Sequence, residues 1–194
     1  VSDAVEVTVV VPTHNRREDL ARCLAALRAQ RTARTHEILV VDDGSEPPLR
    51  ADEVPGGRIL RTAGGNPGAA RNAGIAGARG AIVAFTDDDT EPAPGWLEAA
   101  AAFLEANQDD VGVHGPVESP PWDPLAGHSI ELEQPGSYYT CNIAYRREAL
   151  ERLGGFSASI ATPHGEDVDL GFRALELGAI GWVQEMRIVH YPRQ

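Results

Sequence analysis

No stretch of the chain approaches the ~18–20 consecutive apolar residues that a helical membrane span needs, so no transmembrane segment is expected. Cysteine is scarce: Cys23 and Cys141 are too few for a disulfide framework or a zinc site. Both read as buried thiols of a reducing compartment, which makes a cytoplasmic location the expectation. Positive charge is in deficit, with 17 Lys and Arg against 29 Asp and Glu and a net charge of −12. That balance argues against binding nucleic-acid backbones, which demand clustered cations, and against an anionic membrane surface. It leaves room for an anionic ligand if a metal ion sits between ligand and protein. No signal peptide opens the chain. Its first residue is Val, consistent with a processed or trimmed start. Internal repeats and low-complexity tails are also missing.

What the chain does have is an apolar content of 42%, enough for a sizeable core in one domain. "VEVTVVVP" (5–12) and "HEILVVDDGS" (36–45) are near-continuous apolar runs of the kind that strands covered on both faces show. "GRILRT" (57–62), "AIVAF" (81–85) and "VGVHGPV" (111–117) are expected as further strands. Between them, Leu20, Cys23, Leu24 and Leu27 mark one face of a helix, as do Leu97, Ala100, Ala101 and Leu104. "NPGAARNAGIAGARG" (66–80) predicts a helix capped by Asn66, with Pro67 in its first turn and Gly80 as its stop. Its interior Gly74 and Gly77 suggest close packing or a ligand. Residues 116–136 carry five prolines and little periodicity, which predicts a long functional or mobile loop. A strand and short helix follow over 138–156. A helix over 165–178 has an apolar stripe of Val168, Phe172 and Leu175, and two short strands follow over 180–192.

Strands alternating with helices predict an open, mostly parallel sheet with helices on both faces. In such sheets ligands bind beyond the carboxyl ends of the strands. Pro12–Asn15, Asp42–Ser45 and Asp87–Asp89 each follow a strand end and should converge. The triplet Asp87-Asp88-Asp89 poses the sharpest question, because adjacent like charges repel. In an extended stretch Asp87 and Asp89 would point the same way. Hard divalent cations prefer such oxygen ligands, together with substrate phosphates. A metal-bridged diphosphate would relieve the repulsion; taken alone, the triplet reads equally well as a solvated loop or a cap for the helix that follows.

The ordered set "VVVPTHNR", "EILVVDDGS", "NPGAARNAGI", "AIVAFTDDD", "CNIAYRREAL…GGF" and "GEDVDLGFR" resembles the inverting GT-A glycosyltransferases of family 2, over roughly residues 5–190. The resemblance implies a single Rossmann-like GT-A catalytic domain over 1–194, with an open mixed, mostly parallel sheet. The nucleotide-binding half would cover about 1–115 and the acceptor-side half about 116–194. It implies that Pro12, Thr13, His14 and Asn15 pack on the nucleotide base, with His14 where an aromatic ring often stacks. Asp43 would hydrogen-bond the base, although Asp42–Gly44 also suits a plain turn. Arg71 would read the nucleotide or phosphates, unless it is a helix-surface arginine. Asp87 and Asp89 match the DxD motif, with Asp88 among the donor contacts and Asp89 favoured for the metal, Mn²⁺ or Mg²⁺. His190 stands where some relatives complete the metal shell. Asp167 is the expected catalytic base, with Glu166 as its understudy. Asn142 and Trp122 are placed toward the acceptor.

What is expected, then, is metal-dependent, inverting transfer from a nucleoside-diphosphate sugar, with UDP favoured, to a hydroxyl acceptor. The chain stops about four residues past His190, without the C-terminal helices common in the family. It is therefore either a minimal enzyme or the catalytic piece of a longer chain. The Q-x-x-R-W signature of processive synthases is absent, which favours single-sugar transfer to a small or soluble acceptor. Two rivals stand beside this reading. A sugar-1-phosphate nucleotidyltransferase would carry a Gly-rich basic loop after its first strand, whereas "PTHNRRED" has no glycine. A non-catalytic nucleotide-sugar-binding or scaffold domain would have no need of four intact carboxylates at Asp87, Asp89, Glu166 and Asp167.

Overall fold

The computed structural model describes residues 4–121, 129–157 and 165–192. Trp122 lies outside them. Among the described residues the main sheet has seven strands in the order β3–β2–β1–β4–β8–β6–β9. These are β1 (Val7–Thr13), β2 (His36–Asp43), β3 (Arg58–Thr62), β4 (Ile82–Phe85), β6 (Gly112–His114), β8 (Ile143–Arg146) and β9 (Ile180–Trp182). β8 runs antiparallel to both its neighbours, and the other pairings are parallel. A smaller sheet sets β10 (Ile188–His190) between β5 (Thr90–Pro92) and β7 (Val117–Glu118). The helices are α1 (Arg17–Arg28), α2 (Pro67–Gly77), α3 (Trp96–Ala106), α4 (Arg147–Leu153) and α5 (Glu166–Leu175). None of those described is long and apolar enough to cross a membrane.

The apolar run of β1 is explained by two cores. Val7, Val9 and Val11 face one side, against Leu20, Leu24 and Leu27 of α1 and Leu97 and Leu104 of α3. Val10 faces the other, with Val41, Val83, Ala70 of α2 and Leu170 of α5. Alternate side chains leave a strand on opposite faces, so a strand covered on both is apolar at most positions, and the buried Thr8 is accommodated by a hydrogen bond to Glu37 Oε1. Each such apolar side chain stabilises the fold by about 1.5–3 kcal/mol. α2 lies so close to β1 that a Cβ on Gly74 would sit 2.4 Å from Val10 Cγ1, so close packing accounts for that glycine. Cys23 and Cys141 are both buried and unbridged.

Several expectations need correction. Gly80 does not stop α2, which ends at Gly77. It lies instead where β1 begins, donating its N–H to Thr8 Oγ1, and a Cβ there would meet the Thr8 nitrogen at 2.5 Å. The stretch 111–117 is not one strand: β6 joins the main sheet and β7 the small one. The long loop also contains structure, since Val117 and Leu132 exchange backbone hydrogen bonds of 2.9 Å. α5 does not bury Val168, Phe172 and Leu175. It docks through Glu166, Leu170, Gly171 and Ala174 and leaves Phe172 59% exposed. The reason is Tyr138, whose ring fills the space beside Gly171 and admits only that small residue.

Candidate active site

The order β3–β2–β1–β4 makes β1 the strand from which the sheet grows in both directions. The carboxyl ends of β1, β2 and β4 therefore meet at a topological switch point, where open sheets hold ligands. The acidic triplet follows β4 in a tight turn. Thr90 Oγ1 donates to the Asp87 carbonyl at 2.8 Å, and Thr86 Oγ1 lies 2.6 Å from Thr90 Oγ1 and donates to the Cys141 carbonyl at 2.9 Å. The turn, not an extended alternation, brings Asp87 and Asp89 to one side. β5 then pairs antiparallel with β10, opposing Thr90 to His190. One ligand atom each from Asp87, Asp89 and His190 lie within 4.8 Å of one another, and all three side chains are buried.

Asp88 turns the other way. Its carboxylate accepts from Thr13 Oγ1 at 2.7 Å and from Arg16 Nη1 at 3.4 Å. Burial pushes its pKa up to about 7, against the Thr13 hydrogen bond that pulls it down. Arg16 Nη1 also reaches Asp89 Oδ2 at 3.2 Å. Arg71 is not a helix-surface residue: it is buried between Asp87 Oδ1 (2.8 Å) and Glu166 Oε1 (3.0 Å). Among the described residues, the buried carboxylates of Asp87, Asp88, Asp89 and Glu166 thus face the guanidiniums of Arg16 and Arg71. Negative charge is in excess there. Two carboxylates and an imidazole form a donor set that fits a divalent cation, with positions left for phosphate oxygens.

Two cavities open on this cluster and share Pro67, Arg71 and Asp87 as walls. The first, about 190 Å³, is lined by Pro12, Thr13, His14, Arg16, Asp43 and Asp88 as well. His14 Nδ1 contacts the Asp43 carbonyl at 2.8 Å, and Asp43 accepts from Thr62 Oγ1. The two aspartates that end β2 have separate tasks. Asp42 is buried, and burial alone would raise its pKa. Ser45, the Leu49 N–H and Arg61 hold it below the usual carboxylate range. It fixes the turn, while Asp43 lines the cavity. Asn15, in the left-handed region at φ 57°, ties the two turns together. Its N–H donates to Ser45 Oγ and its Oδ1 accepts from the Glu46 N–H.

The second cavity, about 330 Å³, is lined by Ser129, Thr140, Glu166, Asp167 and His190 among others. Asp167 lies in the first turn of α5, partly exposed, and accepts from the Val168 N–H at 2.9 Å. Glu166 is buried and clamped by Arg71, so the two neighbouring acids differ sharply in access. Asn142 does not face this space. Its Oδ1 accepts from Trp96 Nε1 at 2.7 Å and its Nδ2 donates to the Pro116 and Met186 carbonyls. The amide is occupied in joining α3, β8 and the small sheet, which corrects its placement toward an acceptor. Sequence reasoning missed Arg16; the only available signal was its position one residue past a strand-end turn.

The glycosyl transferase family 2 model matches residues 8–158. The chain is 30% identical to a pre-mycofactocin glycosyltransferase of Mycobacterium tuberculosis, over 90% of this chain and 40% of that protein. It is 29% identical to the glycosyltransferase AglE of Haloferax volcanii, over 89% of this chain and 62% of that one. It thus spans less than two thirds of the length of both relatives. The crystal structure of Staphylococcus aureus TarS in complex with UDP-GlcNAc superposes with a TM-score of 0.76 at 21% identity, over 98% of this chain and 59% of that chain. At that identity the likeness concerns the fold, which is GT-A.

Proposed function

Because the chain belongs to glycosyl transferase family 2, we propose that it transfers a sugar from a nucleoside-diphosphate sugar to a hydroxyl acceptor with inversion, assisted by Mn²⁺ or Mg²⁺. UDP is the favoured nucleotide, in keeping with the UDP-GlcNAc that a neighbour of the same fold binds. The observation that carries the reading is the meeting of two cavities at Arg71 and Asp87, one lined by Asp43 and His14, the other by Asp167. Donor and acceptor would enter from opposite sides of the acidic cluster.

In this mechanism His14 and Asp43 hold the base. Asp87, Asp89 and His190 would hold the divalent ion, which would offset the charge that develops on the departing diphosphate. Arg16 lies beside the same position, on Asp88 and Asp89, where it would be within reach of a phosphate oxygen. Arg71 holds Asp87 and Glu166 at a fixed separation. Asp167 accepts the proton of the acceptor hydroxyl as its oxygen attacks the anomeric carbon. The bond from that carbon to the diphosphate oxygen breaks on the opposite face, which inverts the configuration. General-base assistance of this kind contributes roughly 10²–10⁴-fold. Asp167→Asn should keep UDP affinity, measured by calorimetry with Mn²⁺, and lose transfer to acceptor by at least about 10²-fold. Transfer at the native rate would place the base elsewhere.

A further inference from the structure

Resting on that metal reading, we propose that Ser129 is a positioning residue that fixes the His190 ring with Nε2 turned toward Asp89 and the ion. Ser129 lies within the proline-rich stretch, far from His190 in sequence, and lines the Asp167 cavity. Its Oγ is 3.2 Å from His190 Nδ1 and donates to the His190 carbonyl, also at 3.2 Å. Ser119 Oγ lies 2.8 Å from Ser129 Oγ. The hydroxyl has one proton and two lone pairs. With its proton on the His190 carbonyl, its lone pairs are open to an Nδ1–H. The ring is thereby held with Nε2 turned toward Asp89 Oδ1, 3.5 Å away. An imidazole held through Nδ1 with Nε2 turned toward a carboxylate is the arrangement a metal-binding histidine requires. Ser119 Oγ adds a third contact that keeps the serine in place.

The test reads metal binding, not turnover. Mn²⁺ affinity is measured by the electron paramagnetic resonance of unbound Mn²⁺, without donor or acceptor, for the native chain, Ser129→Ala, Ser129→Thr, His190→Ala and the double variant Ser129→Ala/His190→Ala. Loss of such an outer partner typically weakens metal affinity roughly 10–100-fold. Ser129→Ala should fall in that range, and Ser129→Thr, which keeps the hydroxyl, should stay within a few-fold of native. The double variant should be no weaker than His190→Ala, because the serine acts through the histidine. Nitrogen-15 NMR of the Mg²⁺-loaded protein, with the signal assigned by its loss in His190→Ala, should show the ring protonated on Nδ1 and not on Nε2. Native affinity in Ser129→Ala, or an equal loss when His190 is already gone, overturns the proposal while leaving the metal site standing. Unchanged affinity in His190→Ala removes that residue from the metal shell and the proposal with it. A ring protonated on Nε2 alone contradicts it even if Ser129→Ala fails to fold.

Discussion

β1 and β2 are seven and eight residues long and carry their ligand-facing turns directly at their ends. β7 and β10, which brace the other side of the site, have two and three residues. The first half is held by strand pairing and two apolar cores. The second shares those cores but has short strands, and it depends also on single polar side chains that reach far along the chain: Asn142 to Pro116 and Met186, Ser129 to His190, Arg71 to Glu166. The donor side can therefore be built from local sequence pattern. The Asp167 side exists only once the fold has closed, and it should be the more easily broken by a single polar substitution.

The largest expected effect lies where the halves meet. Asp89→Ala should lower transfer by roughly 10³-fold or more, the scale of several kcal/mol of lost charge stabilisation, with an unchanged circular dichroism spectrum. Native turnover would separate the acidic cluster from the chemistry. Next is the clamp. Asn142→Ala leaves Trp96 Nε1–H and two carbonyls without their partner, and it should cost about 2–4 kcal/mol in urea unfolding. A loss below about 0.5 kcal/mol would mean that polar bracing matters less than the comparison claims.

His114 sharpens the same contrast through pH. It is buried among Trp182 and Tyr138, with ring centroids 4.8 and 5.3 Å away, and burial pushes its pKa down to about 4 from an ordinary 6.5. Between those values the unfolded chain binds the proton and the folded one does not. Stability from this residue is therefore complete above pH 6.5 and falls as pH drops toward 4, by on the order of 3 kcal/mol. His114→Phe should flatten that part of the stability profile; an unchanged slope would assign it to other groups. The smallest effect is expected in the donor half. Gly74→Ala overpacks Val10 and should cost about 1–3 kcal/mol. Val10→Ala in the same chain should cost less than it does alone, because the added methyl fills part of the space it vacates. Strict additivity would contradict that packing account.

The same division governs what could be read in advance. The buried runs of β1, β2 and β4 announce themselves because both faces need apolar side chains, and the switch point follows from strand order. β5 is three residues with a proline at its end, too short to show a period, yet its pairing with β10 is what sets His190 beside Asp89. The stripe on α5 misled because helical spacing shows which residues share a face but not which face is covered. The small residues Gly171 and Ala174 decided that. Arg16 and Ser129 are lone polar residues whose roles depend on partners distant in sequence. The chain has no lysine and 17 arginines, so residue type did not single out Arg71 or Arg16 from the surface cations.

The central claim is that the acidic cluster seats a divalent ion together with a diphosphate, and thermal denaturation with UDP tests it most directly. UDP should raise the melting temperature of the native chain when Mn²⁺ is present and little when it is chelated, since a ligand that binds only the folded state stabilises it by mass action. Asp87→Asn and Asp89→Asn should abolish the Mn²⁺-dependent part. A UDP shift of equal size with and without the metal, or one that survives both substitutions, would contradict the account.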